Sequence, residues 1–117
     1  MPSEIKPRNE ISRADQWDLQ ALYPSPEAWE NEIAAAQGLG EKIAAYSGHL
    51  TDSPNALAQA LTDWFAAIRQ AEKLYVYAHL IHDQDLGDAT GQTKFDRAQS
   101  FFIQLDAAGS FIAPEIL

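Results

Sequence analysis

Apolar residues recur along this chain at the 3.6-residue period of a helix, and no segment sustains the alternation of a strand. Trp29, Ile33, Ala36, Gly40 and Ile43 follow i, i+4, i+3 steps, Leu39 and Tyr46 widen the stripe, and Glu30, Glu32 and Glu41 occupy other faces. Ser25-Pro26-Glu27 supplies the start: a hydroxyl that accepts from an orphan amide, a proline with no amide to leave unpaired, and a carboxylate at the positive end of the dipole. The spacing predicts a helix over 26–47, ended by Gly48. Gly38 and Gly40 each disfavour a helix by roughly 1 kcal/mol relative to alanine, so either a neighbouring helix crosses closely there or the helix kinks.

Asp52-Ser53-Pro54 repeats the start signal, and Leu57, Leu61, Trp64, Ile68, Ala71, Tyr75, Ala78 and His82 follow at helical spacing. This predicts a helix over 54–85, about eight turns long. Its stretch from Leu74 to Ile81 is apolar nearly all round, which implies contact on more than one side. Asp85-Leu86-Gly87-Asp88 breaks the pattern. Asp88 or Thr90 then caps a third helix over 90–109, whose face is Phe95, Ala98, Phe102, Leu105 and Gly109, flanked by Phe101 and Ala108. Short connections force consecutive helices to run antiparallel, so the expected fold is all-α, an antiparallel bundle or helical hairpin array of about three helices over 25–117.

Residues 1–24 read differently. The polar start, with Pro2 and Pro7 and no period, predicts an extended arm, and Trp17, Leu19, Leu22 and Tyr23 predict a turn that clamps it onto the body. At the other end, Pro114-Glu115 stands where a further helix begins, beside Phe111, Ile112, Ile116 and Leu117. A chain that stops there is expected to be a fragment of a longer protein, truncated at the start of that helix.

Composition narrows the class. Hydrophobic residues make up 46% and charged residues 21%, a globular balance. With 17 acidic against 8 basic residues the formal net charge is -9, a field that repels phosphate backbones and anionic lipid, so neither nucleic acid nor membrane is an expected partner. No apolar run approaches the roughly 20 residues that span a bilayer, and the interleaved charges of the first twenty residues exclude a secretory signal. The lack of cysteine removes disulfides and thiolate chemistry and suits a reducing compartment, so a cytoplasmic location is expected.

No reactive constellation emerges. His79 and His82, three apart on one helix, would need at least one further ligand for zinc, and neither His-Glu-x-x-His nor Glu-x-x-His is present. His82 is expected to be a hydrogen-bonded, partly buried end of the stripe, with His79 against a neighbour or solvent. Asp83 to Asp88 is similar in composition to a calcium loop, but a count from Asp83 puts Asp88 where glycine is required and Lys94 where glutamate is required. Trp64, Phe65, Tyr75 and Tyr77 are expected in the core rather than on a ligand. No catalytic, cofactor-binding or metal-ligating residue is assigned to this chain.

The order of landmarks, however, resembles the amino-terminal domain of oligoendopeptidase F-like enzymes in the M3 family of zinc metallopeptidases. The landmarks are Trp17-Asp18-Leu19, Leu22-Tyr23-Pro24, Trp29, Leu74, Tyr77-Ala78, Asp83 and Asp85, Ser110-Phe111-Ile112 and Pro114-Glu115-Ile116-Leu117. The resemblance implies a largely helical zinc endopeptidase in which two lobes enclose a channel for oligopeptides. It also implies that zinc is held by a His-Glu-x-x-His motif and a further glutamate in a downstream catalytic domain, the partner of this one. The chain itself is then a non-catalytic wall, inactive alone and without zinc, whose acidic excess favours basic peptides. The alternative is a free-standing interaction module that docks a protein through Trp17, Tyr23 and the tail from Phe111 to Leu117.

Overall fold

The computed structural model describes residues 4–117; Pro2, read above as part of the arm, lies outside the described residues. Among the described residues all regular structure is helical. Three single 3-10 turns, Arg8–Glu10, Arg13–Asp15 and Leu19–Ala21, lead into α1 (Pro26–Ala36), α2 (Leu39–Ala44), α3 (Pro54–Gln84), α4 (Ala89–Ala108) and α5 (Ile112–Ile116). Local chemistry sets each main start. Ser25 Oγ accepts from the Ala28 amide at 3.1 Å and Ser53 Oγ from the Ala56 amide at 3.0 Å, each with proline just inside the helix. Asp88 Oδ1 accepts from the Thr90 amide at 3.0 Å and opens α4. Such caps each stabilise a helix by about 1 kcal/mol.

The continuous helix expected over 26–47 is instead two, α1 and α2, because the chain leaves the helical ladder at Gln37 and Gly38. Gln37 turns its side chain back, and its Nε2 donates to the Ile33 carbonyl at 3.0 Å, pairing an acceptor that the ending helix would leave open. Gly38 faces open space, but a Cβ on Gly40 would lie 3.6 Å from Ala108 Cβ on α4. The two glycines therefore divide the work: the break falls at Gly38 and the close approach at Gly40. Gly48, at φ 82°, takes the left-handed conformation that turns the chain toward α3.

α3, about 46 Å long at 1.5 Å per residue, pairs along its length with α4. Gly91 meets His82, Phe102 meets Tyr75 and Gly109 meets Trp64, so contacts descend one helix as they climb the other. The helices are antiparallel. The buried seams are displaced from those expected. On α3 they run through Ala60, Ala67, Ala71, Leu74, Tyr77 and Ala78, with Tyr75 and His82 only half-buried. On α4 they run through Gly91, Lys94, Ala98, Phe101 and Leu105, with Phe95 and Phe102 half-buried. The shift follows from α1 and α2, which draw the dry interface toward themselves: α2 lies against both long helices, and α1 lies against α3 while its Trp29 and Glu30 meet Lys94 and Arg97 of α4. Val76, inside the stretch that reads as apolar all round, is exposed.

Trp29 joins three helices. Its ring is wholly buried, and its Nε1 donates to the Leu74 carbonyl of α3 at 2.9 Å. Lys94 Nζ of α4 lies 4.3 Å from the ring centroid and the Arg97 guanidinium carbon 5.2 Å from it. Glu30 Oε1 accepts both cations, Arg97 at 2.8 Å and Lys94 at 3.5 Å, which explains how a lysine is tolerated at 6% exposure. At the carboxyl end, α5 starts at Ile112, earlier than Pro114-Glu115 suggested, and Glu115 accepts from the Gly48 amide and from the Leu50 amide at 3.1 Å. Its carboxylate thus caps a loop rather than its own helix.

A second tie links α2 to α3. Tyr46, just past α2, donates to Asp63 Oδ2, Gln59 Nε2 donates to Oδ1 at 3.0 Å, and Lys42 Nζ stands 3.8 Å away. The tyrosine hydrogen bond, opposed by desolvation and aided by Gln59 and Lys42, holds the Asp63 carboxyl below the usual carboxylate range. A depressed folded-state pKa stabilises the fold above the unfolded value, about 4, and that contribution vanishes as pH falls through the folded value. Thermal midpoints of the native chain and Asp63→Asn are therefore expected to differ at neutral pH and to converge below about pH 4. A gap independent of pH would show that the tie has no electrostatic role.

Candidate functional site

The sequence candidates are absorbed by packing. Phe95 of α4 inserts among Tyr75, His79 and His82 of α3, at centroid distances of 5.5, 5.1 and 5.5 Å. His79 Nδ1 lies 3.1 Å from Asp83 Oδ2, and its ring stacks 5.8 Å from Tyr75. The two imidazoles thus serve an aromatic cluster. His82 departs from expectation: its Nδ1 is buried with no hydrogen-bond partner, because the ring lies flat on Phe95. No group of three or more His, Cys, Asp or Glu side chains among the described residues could hold a metal ion. In the loop from Asp83 to Asp88, the first acid pairs with His79 and the last caps α4.

Of the aromatics expected in the core, Tyr77 is buried and Trp64 and Tyr75 are half-buried, whereas Phe65 is 58% exposed. Phe65 and Val76 are eleven residues apart, three helical turns, and share an outward face of α3. The surface proposed for a docking module is also reduced: Tyr23 and Ile112 are buried and Phe111 is half-buried, so of its large apolar side chains Trp17, Ile116 and Leu117 remain exposed.

A cleft that sequence periodicity gave no means to foresee lies between the arm and the second half of α3. Its volume is about 740 Å³, and its walls include Arg8, Arg13, Trp17, Tyr23, Tyr77 and Gln84. The arm is held in shape by Gln16, whose Oε1 accepts from Arg8 Nη2 and whose Nε2 donates to the Ile11 carbonyl, both at 3.0 Å. The expected clamp is made by Tyr23, with Leu19 and Leu22 packed partly against the core. Tyr23 meets Tyr77 edge-on at 5.0 Å, and Lys73 Nζ lies 4.6 Å from the Tyr23 ring centroid. Trp17, expected in the clamp, is instead 55% exposed, because the arm turns its indole away from the core.

Gln84 Oε1 is buried without a hydrogen-bond partner, and the Tyr23 hydroxyl, also buried, is directed toward the Glu32 carboxylate. Burial and then Glu32 raise the Tyr23 pKa, and burial and then Glu27 raise that of Tyr77, so both phenols remain protonated donors at neutral pH. Neither can act as a general base there. The cleft offers two cations, an exposed indole and an unpaired amide oxygen beside one another.

No protein-family profile matches the chain, and no solved structure does. Curated sequences do. Oligopeptidase PepF of Bacillus subtilis (strain 168) is 35% identical over 115 residues, which covers 98% of this chain and 17% of the relative. Group B oligopeptidase PepB of Streptococcus agalactiae serotype III (strain NEM316) is 32% identical over 110 residues, 94% of this chain and 18% of the relative. The chromosomal oligoendopeptidase F of Lactococcus lactis subsp. cremoris is 31% identical over 114 residues, 97% of this chain and 19% of the relative. Nearly the whole chain is thus similar to one segment of oligopeptidases PepF and PepB and of oligoendopeptidase F, and it spans less than a fifth of their length.

Proposed function

We propose that these residues form the amino-terminal, non-catalytic helical domain of a cytoplasmic zinc endopeptidase that hydrolyses internal bonds of short peptides, and that the domain supplies part of the wall of its substrate channel. The observation that carries this reading is the similarity of nearly the whole chain, 94 to 98% of it, to oligopeptidases of which it spans only 17 to 19%. The form of the domain suits a wall. It is 66 Å long and 25 by 21 Å across, built on one helix of 31 residues that no proline interrupts after its first position. The side chains described here do not fit zinc, so in this reading the metal and the groups that polarise the peptide bond belong to the rest of the protein. The partners are then the downstream catalytic domain and oligopeptide substrates. Among the described residues, no helix is long and apolar enough to cross a membrane.

The coding sequence beyond Leu117 tests the reading. An in-frame His-Glu-x-x-His motif is expected downstream; a reading frame that closes without one would overturn it. The net charge of -9 adds a second expectation. If the wall's field attracts basic peptides, their turnover by the whole enzyme falls more steeply with ionic strength than that of acidic peptides. Equal salt dependence would remove the electrostatic part of the proposal.

A further inference from the structure

The cleft beneath the arm departs in charge from the chain as a whole. Its charged walls are Arg8, Arg13 and Asp18, two cations to one anion, on a chain of net charge -9. Neither guanidinium joins an ion pair among the described residues. Two further clefts differ in this respect: one is lined by a single acid and a single base, Asp96 and Arg97, and in the other, which has the same two-to-one ratio, Glu30 pairs with both Lys94 and Arg97. At the arm, moreover, an exposed indole lines the same space together with Gln84, whose Oε1 is buried without a hydrogen-bond partner. Buried polar atoms without partners are uncommon in folded proteins, so the Gln84 amide, beside the cleft, has hydrogen-bonding capacity left to satisfy. The volume falls within the range of sites that enclose a ligand.

We propose that this cleft seats an acidic, extended stretch of the longer polypeptide to which these residues belong, its carboxylates meeting Arg8 and Arg13, an apolar side chain covering Trp17, and its backbone pairing with the Gln84 amide. A tethered occupant is favoured over a free one. At long range the net negative field repels an acidic peptide in solution, whereas a tether supplies an effective concentration that overcomes the repulsion. Most of a polypeptide like the relatives also lies outside this segment. The inference rests on the reading of the chain as part of a longer protein, but not on what that protein cleaves.

Hydroxyl-radical footprinting of Trp17, quantified by mass spectrometry, tests it in the 117-residue chain and in the longer polypeptide. Oxidation of Trp17 is expected to be severalfold slower in the longer polypeptide. Arg13→Glu should return it toward the rate of the short chain, and Arg13→Lys should leave it shielded. Arg13 is exposed and remote from the core, and an unchanged thermal midpoint for its variants confirms that the fold persists. Equal reactivity of Trp17 in both proteins overturns the proposal, and shielding that survives Arg13→Glu undiminished overturns the acidic character of the occupant. Protection of the short chain by an added oligoglutamate peptide, without protection in the longer polypeptide, overturns the tethered source. A longer polypeptide with Trp17 shielded but no peptidase activity defeats the functional reading and supports this one.

Discussion

Trp29→Ala is expected to destabilise the chain by about 3–5 kcal/mol, the range for removal of a large aromatic from a core. Three losses combine at this position. The cavity opens where α1, α3 and α4 meet, around a side chain with no exposed surface. The Leu74 carbonyl loses the indole donor, a bond worth about 1 kcal/mol net. Lys94, buried against the ring, loses its aromatic face and keeps only Glu30 at 3.5 Å. Trp29→Phe separates these terms, since it retains most of the apolar body and removes the donor. It is expected to fall well short of the alanine loss in urea denaturation. Equal losses for the two variants would place the energy in the hydrogen bond rather than in packing. Domains of this size are stable by about 5–15 kcal/mol, so the alanine loss removes between about a fifth and the whole of that margin.

Gly109→Ala is the second large effect and acts by the opposite route. A Cβ there would stand 2.3 Å from Cη2 and Cζ3 of Trp64, a contact that cannot be relieved by bending because the indole is rigid. Overpacking of this kind destabilises by about 1–3 kcal/mol. The pair should be strongly non-additive: Trp64→Leu in the Gly109→Ala background is expected to restore part of the loss, because the crowded edge of the ring is gone. Additive losses would mean that α4 moves away from α3 instead. Trp64→Ala alone is expected near 3 kcal/mol, at the low end of the aromatic range, since the ring is only half-buried.

Gly109 also shows what was legible in the sequence. Read as one more member of the α4 stripe, it carried no hint that the residue is there to admit a tryptophan from the neighbouring helix. The helices themselves were legible because their signals are local: a serine that caps, a proline that starts, a period that repeats. Ser25, Ser53 and Asp88 all do what their positions suggest. The central line of each face was not, because a helix wedged between two neighbours buries a seam that neither neighbour alone dictates. Hence Tyr75 and His82 are half-buried where Ala60 and Ala67 are buried. The break at Gly38 was open in advance as a kink or a crossing, and side-chain capping by Gln37 is a choice that composition does not reveal. The arm cleft was beyond reach for a related reason. It is made by residues 54 to 67 positions apart, Trp17 and Tyr23 against Tyr77 and Gln84, that share no periodic pattern. Aromatic residues expected together at one turn part company there, Tyr23 inward and Trp17 outward.

The proposed division of labour between this domain and a downstream catalytic domain is open to a direct assay with an internally quenched oligopeptide, monitored in the presence and absence of added zinc. The 117-residue chain is predicted to leave the peptide intact under both conditions, and the longer polypeptide that contains it is predicted to cleave internal bonds in a chelator-sensitive manner. Cleavage by the short chain alone, or a folded longer polypeptide that leaves oligopeptides untouched, would contradict the account.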